Sequence, residues 1–184
     1  MDFYLQTPRV NLRELTLDDE NNLLDLDSDP EVMRFLTQGK PSSREEIKAT
    51  LLRVDSLLKK HKGRLGIWAA LDKNSNEFMG WFHYRPGKLE PENVNKIELG
   101  YRLKKKFWGL GLATEVSKLL ISKGFNELSV DEVFAITLKS NLASRKVMEK
   151  VGLKFSHEFY DSKLIPTNEL GVWYSLTKAE YATF

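Results

Sequence analysis

Hydrophobic positions in the first third of the chain recur mostly at helical spacing. A short alternating run predicts a strand from Val10 to Leu15, and Thr16 then offers a helix cap. Pro30 suits the first position of a second helix, and Ser43–Glu46 matches the capping-box pattern that begins a third, which Gly63 ends. The apolar positions of these helices are Leu23, Leu24 and Leu26; Val32, Met33 and Leu36; and Ile47, Leu51, Val54 and Leu58.

The spacing then changes to that of strands. Leu65–Leu71 and Phe78–Tyr84 are rich in aromatic and branched residues and are separated by turn residues, which predicts a hairpin. Further along we predict a loop over 86–91, strands over Val94–Leu103, Val133–Leu138, Gly152–Phe159 and Gly171–Leu176, and helices over Gly109–Phe125 and Asn141–Lys150. This order indicates an α/β fold: one domain over residues 1–184 with a mixed, mostly antiparallel sheet flanked by helices.

Composition excludes several classes of protein. Of the 184 residues, 41% are hydrophobic and 29% are charged, which is typical of a globular chain, and a net charge of +2 is too small to indicate a nucleic-acid partner. The absence of cysteine excludes thiol nucleophiles and disulfides and fits a reducing compartment. No apolar run resembles a secretory signal or a membrane span, so we expect a cytoplasmic protein without a membrane partner.

The segment from Ile97 to Glu115 carries the clearest chemical signal. It combines a strand, a basic turn at Lys104–Lys106 and a helix start containing Gly109 and Gly111. The first N–H groups of a helix lack internal partners and bind phosphate, and glycine lets an anion approach them. The lysines add positive charge at this point, so the segment predicts a site for a diphosphate.

Two other glycine-loop sites fit the sequence less well. A dinucleotide site needs an acidic residue at the end of the next strand, but Asp131 precedes the strand that begins at Val133. A P-loop needs Gly-Lys-Ser/Thr after its glycines, and Gly111 is followed by Leu112 and Ala113. A nucleotide-binding domain that uses the Gly109–Gly111 loop nevertheless stays as an alternative.

Two motifs resemble those of the GCN5-related N-acetyltransferases (the GNAT superfamily). The run Lys106–Glu115 is similar to the acetyl-CoA pyrophosphate loop, usually Gln/Arg-x-x-Gly-x-Gly/Ala, and Asn141–Leu153 is similar to the helix that follows. Thr7–Arg13 and Asp29–Met33 resemble openings in the branch that acetylates ribosomal-protein N-termini (RimJ/RimL-like). Lys106 departs from the usual Gln or Arg; it keeps the charge of arginine but loses the planar fork.

The resemblance implies acetyl-CoA as co-substrate and a primary amine, on a small molecule or a protein N-terminus, as acceptor. In the family the pantetheine arm pairs with exposed backbone of the strand before the loop, and the diphosphate lies on the loop amides. The cofactor-binding residues implied in this way are Tyr101, Arg102, Leu103, Lys106, Trp108, Gly109, Leu110, Gly111, Leu112, Ala113, Thr114, Asn141 and Ser144.

Direct acetyl transfer needs a neutral amine and a proton for the departing thiolate. Glu98 is the predicted base because it interrupts an apolar strand, although it could instead face solvent or pair with a lysine. The resemblance suggests Ser144 as the acid, whereas position alone makes it an ordinary first-turn serine. Tyr101 and Tyr160 are alternative acids. No acyl-enzyme is expected, since there is no cysteine and no serine–histidine motif.

The remaining expectations concern metals, partners and a rival function. His61, His83 and His157 share no ligand spacing, so we expect no metal site. A homodimer is the default oligomer. A non-catalytic regulator that binds acyl-CoA on the same fold is the rival closest to the enzyme assignment.

Overall fold

The structure, a computed structural model, describes residues 3–165 and 168–183. The α-helices are α1 (Glu20–Ser28), α2 (Pro30–Thr37), α3 (Arg44–Lys60), α4 (Leu112–Glu127), α5 (Leu142–Lys150) and α6 (Lys178–Tyr181). The strands are β1 (Leu5–Gln6), β2 (Val10–Glu14), β3 (Gly66–Asp72), β4 (Phe78–Pro86), β5 (Lys96–Leu103), β6 (Glu132–Leu138), β7 (Lys154–Phe159) and β8 (Gly171–Thr177). Short 3-10 helices cover Leu17–Asp19 and Lys105–Phe107.

The strands form an eight-stranded sheet in the order β1-β2-β3-β4-β5-β6-β8-β7. Strands β1/β2, β2/β3, β6/β8 and β7/β8 pair antiparallel. Strands β5 and β6 pair parallel over three residues each, Lys96–Glu98 with Glu132–Phe134. The predicted α/β fold with a mostly antiparallel sheet and flanking helices is confirmed.

The described residues form two compact units. The first unit lies within residues 1–83 and 101–112, and the second lies within 84–100 and 113–184, so β4 and β5 each contribute to both. Fully buried side chains of the first unit include Leu12, Leu26, Met33, Leu51, Trp68, Met79 and Phe82. Those of the second include Tyr84, Ile97, Leu120, Phe125 and Tyr174.

Local signals begin α2 and α3 as predicted, whereas Thr16 precedes the 3-10 helix Leu17–Asp19 and α1 begins only at Glu20. The Ser43 hydroxyl accepts the Glu46 N–H and the Glu46 carboxylate accepts the Ser43 N–H, which completes the capping box of α3. Asp29 caps α2 through the Glu31 N–H, with Pro30 at the first helical position. The apolar side chains predicted for α3 are its buried ones.

Several boundaries differ from the prediction. Helix α4 begins at Leu112 instead of Gly109, because Gly109 (φ 74°) and Gly111 (φ 78°) adopt left-handed backbone that no right-handed helix contains. Strand β7 likewise begins two residues after Gly152, whose φ is 92°. Strand β4 runs on to Pro86, which the sequence placed in a loop. The short elements β1 and α6 were not predicted.

Candidate active site

Glu98 is a buried carboxylate in β5. Its side chain is 9% exposed, and it lies opposite Phe134 of β6 in the sheet. The Arg85 guanidinium, from β4, approaches it with a distance of 2.9 Å between Arg85 Nη2 and Glu98 Oε2. Arg85 Nη1 also donates to the Pro86 carbonyl at 2.9 Å, which helps to fix the guanidinium. The predicted base therefore does not face solvent, and its carboxylate lies against an arginine.

The surroundings of Glu98 shift its proton affinity. Burial raises the pKa of Glu98, because removal from water disfavours the charged carboxylate, while the positive charges of Arg85 and Lys88 act in the opposite direction without cancelling it. A carboxylate with a raised pKa is a stronger proton acceptor near neutral pH. This position can therefore support general base chemistry.

The glycine loop, residues 108–111, connects the second 3-10 helix to α4. Trp108 anchors its beginning, since the indole Nε1 donates to the Leu103 carbonyl at 2.7 Å. Gly109 and Gly111 both have positive φ, a conformation that a side chain would strain. A Cβ placed on Gly109 would meet no atom within 4 Å, so the space beside this residue is open.

This geometry fits a diphosphate group. The loop leads directly into the first turn of α4, whose leading N–H groups lack partners within the helix and lie at the positive end of its dipole. The open space at Gly109 leaves room for an anion beside the loop. The cofactor role of the loop residues Trp108, Gly109, Leu110 and Gly111 stays a prediction.

The lysines before the loop are less available than the sequence suggested. Lys104 Nζ lies 2.6 Å from an Asp25 carboxylate oxygen, and the Lys106 ammonium pairs with Glu77. These acids compensate much of the local positive charge. The cofactor role of Lys106 stays a prediction, and it would require that lysine to leave or share Glu77.

The end of β5 before the loop is held by side chains of the first unit. The Tyr101 ring packs against Phe82 with centroids 5.6 Å apart, and Leu103 is buried. Arg102 forms an ion pair with Asp27 and lies over the Trp81 ring at 5.1 Å. The β5–β6 ladder pairs Lys96–Glu98 with Glu132–Phe134, and β5 continues beyond it to Leu103.

Asn141 and Ser144 lie at the start of α5. The Asn141 side-chain oxygen accepts the Ser144 N–H at 3.2 Å, which confirms the predicted helix cap. Arg145, the next residue, donates to the Tyr174 hydroxyl at 3.1 Å, and that hydroxyl donates to Glu149 at 3.1 Å. This network ties α5, near its start at Arg145 and near its end at Glu149, to β8.

The predicted residues are distributed over both units. Those in the first unit are Tyr101, Arg102, Leu103, Lys106, Trp108, Gly109, Leu110, Gly111 and Leu112. Those in the second are Glu98, Ala113, Thr114, Asn141 and Ser144. Two further residues, Arg85 beside Glu98 and Arg9 beside the glycine loop, were not predicted. In the sequence, Arg85 could have been noticed as a cation in a strand of aromatic residues. Arg9 could have been noticed as part of the Thr7–Arg13 motif.

The family model for the acetyltransferase (GNAT) domain matches residues 9–154 of the chain. The chain belongs to this family. GNAT acetyltransferases take the acetyl group from acetyl-CoA, and the chain is an acetyl-CoA-dependent N-acetyltransferase. The family assignment thus agrees with the resemblance of the glycine loop and of α5.

One curated relative supports the same assignment, and two solved structures share the fold. FsC-acetyl coenzyme A-N(2)-transacetylase of Aspergillus fumigatus is 31% identical, over 96% of this chain and 77% of the relative. The solved structure of RimL, a ribosomal L7/L12 alpha-N-protein acetyltransferase in complex with coenzyme A, matches with a TM-score of 0.80 at 16% identity, over 96% of this chain and 98% of that one. Ribosomal-protein-S5-alanine acetyltransferase from Vibrio fischeri matches with a TM-score of 0.77 at 18% identity, over 98% and 99%.

Neither a metal cluster nor a membrane span occurs in the part of the chain that the structure describes. Over residues 3–165 and 168–183, no group of three or more His, Cys, Asp or Glu side chains is arranged to hold a metal ion. Within the same ranges, no helix is both long and apolar enough to cross a bilayer.

Proposed function

We propose that the chain transfers the acetyl group of acetyl-CoA directly to the α-amine of an acceptor, with Glu98 as general base. The observation that carries the proposal is the burial of the Glu98 carboxylate. Burial raises the pKa of Glu98, and the carboxylate still has a charged partner in Arg85. Acetyl-CoA supplies an activated acyl group as a thioester. The chain must bind it, deprotonate the amine and exclude water.

The base removes an energetic obstacle. An amine with a pKa of about 10.4 is only about 0.04% neutral at pH 7, which costs roughly 4.6 kcal/mol, whereas an α-amine with a pKa near 8 costs roughly 1.4 kcal/mol. In the reaction the amine nitrogen forms a bond to the acyl carbon, the carbon–sulfur bond breaks, and the amine proton passes to Glu98 directly or through water. Glu98 then returns that proton to solvent.

Ser144 is the proposed donor of a proton to the departing sulfur, and its hydroxyl then regains a proton from solvent. The Asn141 cap holds the backbone of Ser144, and the network of Arg145 with Tyr174 holds the next residue. The products are an N-acetylated acceptor and CoA thiol. Because acetyl transfer is direct, we expect both substrates to bind before either product leaves.

The choice of an α-amine rests on the smaller cost of making it neutral and on two similar proteins. One is named an N(2)-transacetylase and the other an alpha-N-protein acetyltransferase. Both a small molecule and a protein N-terminus present such an amine. We therefore propose the α-amine as the acceptor class common to the two.

A matched pair of acceptors tests the proposal. One is a lysine-free peptide with a free α-amine, and the other is an Nα-acetylated lysine amide, which offers only an ε-amine. CoA release is followed from pH 6 to pH 9 with wild type, with Glu98→Gln and with the control Glu127→Gln, an exposed acid of α4 that pairs with Lys123. We expect turnover of the α-amine peptide to fall about 100-fold or more in Glu98→Gln, with acetyl-CoA affinity nearly unchanged.

The outcomes separate the parts of the proposal. Preference for the lysine amide would exclude the α-amine assignment. Equal turnover of Glu98→Gln and wild type across the pH range would remove Glu98 from the mechanism. Tight binding of acetyl-CoA without turnover of a wide amine panel would support the regulator that binds acyl-CoA.

A further inference from the structure

Arg9 lies in the short connection between β1 and β2, and its backbone is held on both sides. Its N–H donates to the Thr7 hydroxyl at 3.2 Å, and its carbonyl accepts the Lys73 N–H at 2.9 Å. Thr7 is itself buried, and its hydroxyl also accepts the Val10 N–H at 2.8 Å. These bonds fix the point from which the exposed Arg9 side chain extends.

The Arg9 guanidinium lies against the glycine loop, 101 residues away in sequence. Nη1 donates to the Leu110 carbonyl at 2.9 Å. Nη2 lies 3.8 Å from the position that a Cβ on Gly111 would occupy. Both terminal nitrogens therefore face the peptide segment Leu110–Gly111, which leads into α4.

This contact restricts the conformational freedom of the glycine loop. Glycine has many accessible conformations, so a loop with two glycines loses much entropy when it adopts one. A carbonyl oxygen turned toward an anion would repel it. By holding the Leu110 carbonyl, Arg9 limits the conformations of the loop and keeps that oxygen directed toward a cation.

The Arg9 guanidinium carries a positive charge and donates to a carbonyl of the loop itself. A hydrogen bond from a charged donor is stronger than one between neutral groups. The arginine is thus suited to stabilise the conformation of the loop.

We propose that Arg9 is a positioning residue for the cofactor diphosphate, acting through the Leu110 carbonyl. The inference rests on the proposed function, because it assumes that the loop binds the diphosphate of acetyl-CoA. It predicts that loss of Arg9 weakens cofactor binding and leaves the chemical step intact. The contribution concerns the diphosphate, which CoA and dephospho-CoA share, and not the 3′-phosphate, which only CoA carries.

The experiment is calorimetric titration of wild type and three variants with CoA and with dephospho-CoA. Arg9→Met removes the donors and the charge, Arg9→Lys keeps the charge without the fork, and Arg53→Met is a control that removes an exposed arginine of α3 bonded to Thr50. We expect Arg9→Met to raise the dissociation constant about 10- to 100-fold for both ligands. The dissociation constants of Arg9→Lys should lie between those of wild type and Arg9→Met, and those of Arg53→Met should match wild type.

Thermal unfolding and kinetics complete the test. The ligand-free variants should unfold within about 2 °C of wild type, and Arg9→Met should raise the KM for acetyl-CoA while kcat stays within about twofold. Unchanged affinity in Arg9→Met, a loss confined to CoA, or a large fall in melting temperature that explains the loss would each overturn the proposal. Failure of wild type to bind CoA at all would instead overturn the proposed function.

Discussion

The guanidinium of Arg85 and the carboxylate of Glu98 form a close ion pair, with 2.9 Å between Nη2 and Oε2 and little exposure of either side chain. Burial and the arginine act on the carboxylate in opposite directions: burial raises its pKa and Arg85 lowers it. The balance leaves a base whose pKa lies above the ordinary glutamate range. Arg85 therefore limits how far burial raises the pKa of Glu98, and the pH dependence of the enzyme should report this effect.

Replacement of Arg85 should shift the acidic limb of the pH–rate profile. In Arg85→Met the main positive charge that lowers the pKa of Glu98 is lost while burial remains, so this pKa should rise further. Because the ionised carboxylate is the active form, kcat/KM should fall about 10-fold at pH 7 and recover at higher pH. Measurement of kcat/KM from pH 5 to pH 10, with Arg53→Met as control, tests this. A limb that moves to lower pH would contradict the assignment.

Substitution of Gly109 should affect cofactor binding through the backbone alone. A Cβ there meets no neighbour within 4 Å, but the φ of 74° costs a non-glycine residue about 1–2 kcal/mol. Gly109→Ala should therefore raise the dissociation constant for CoA about 10-fold as the loop moves to a less strained shape.

Gly63→Ala is the matched control, since Gly63 has a similar φ of 69° after the end of α3. Both variants should lose about 1 kcal/mol of unfolding free energy in a urea titration, and only Gly109→Ala should bind CoA more weakly. A similar affinity loss in both would show that strain acts globally and not at the loop.

Removal of the Tyr174 hydroxyl should loosen the start of α5. The Tyr174 side chain is buried, and its hydroxyl accepts from Arg145 and donates to Glu149, each at 3.1 Å. Tyr174→Phe should lower the free energy of unfolding by about 1–2 kcal/mol, because two hydrogen bonds to charged groups are lost. Urea unfolding beside Tyr160→Phe, which alters an exposed tyrosine, provides the measurement. Equal stability of the two variants would contradict a role for the network.

Asp19 should make the free energy of unfolding depend on pH in the acidic range. Burial of its carboxyl acts to raise the pKa, but hydrogen bonds from Arg13, Thr16 and Asn22, with the charge of Arg13, outweigh burial and lower it. A lowered pKa in the folded state stabilises the fold above the unfolded value of about 3.9, and this contribution is lost as the pH falls through the folded pKa.

Asp19→Asn should consequently lose about 3 kcal/mol at pH 7, because Arg13 keeps a partly buried charge without its partner. The deficit relative to wild type should begin to shrink below about pH 4, where the carboxyl of the unfolded wild-type chain takes up its proton, and should continue to shrink until the pH falls through the lowered pKa of the folded state. Urea titrations at pH 7 and pH 3.5 test both statements. The control is Asp18→Asn, which changes the exposed neighbour of Asp19. A deficit that grows on acidification would reverse the sign of the inference.

Elements specified by neighbouring residues were predictable. The capping box at Ser43 and the apolar spacing of α3 involve residues within one or two turns of each other, so the sequence contains all the information needed. The start of α4 was misplaced because a glycine is compatible with both a helix and a left-handed turn, and only its φ in the folded chain distinguishes them.

The site follows the same division between local and distant effects. The sequence alone indicated the individual strands, the glycine loop at Gly109–Gly111, the Asn141 cap and Glu98 as an acid in an apolar strand, because each depends on residues close in the chain. Tertiary structure decided that Glu98 lies beside Arg85, that Lys104 and Lys106 pair with acids, and that Arg9 holds Leu110. Spacing along the chain carries no direct record of these contacts, because packing brings together residues far apart in sequence and sets the burial that shifts a pKa.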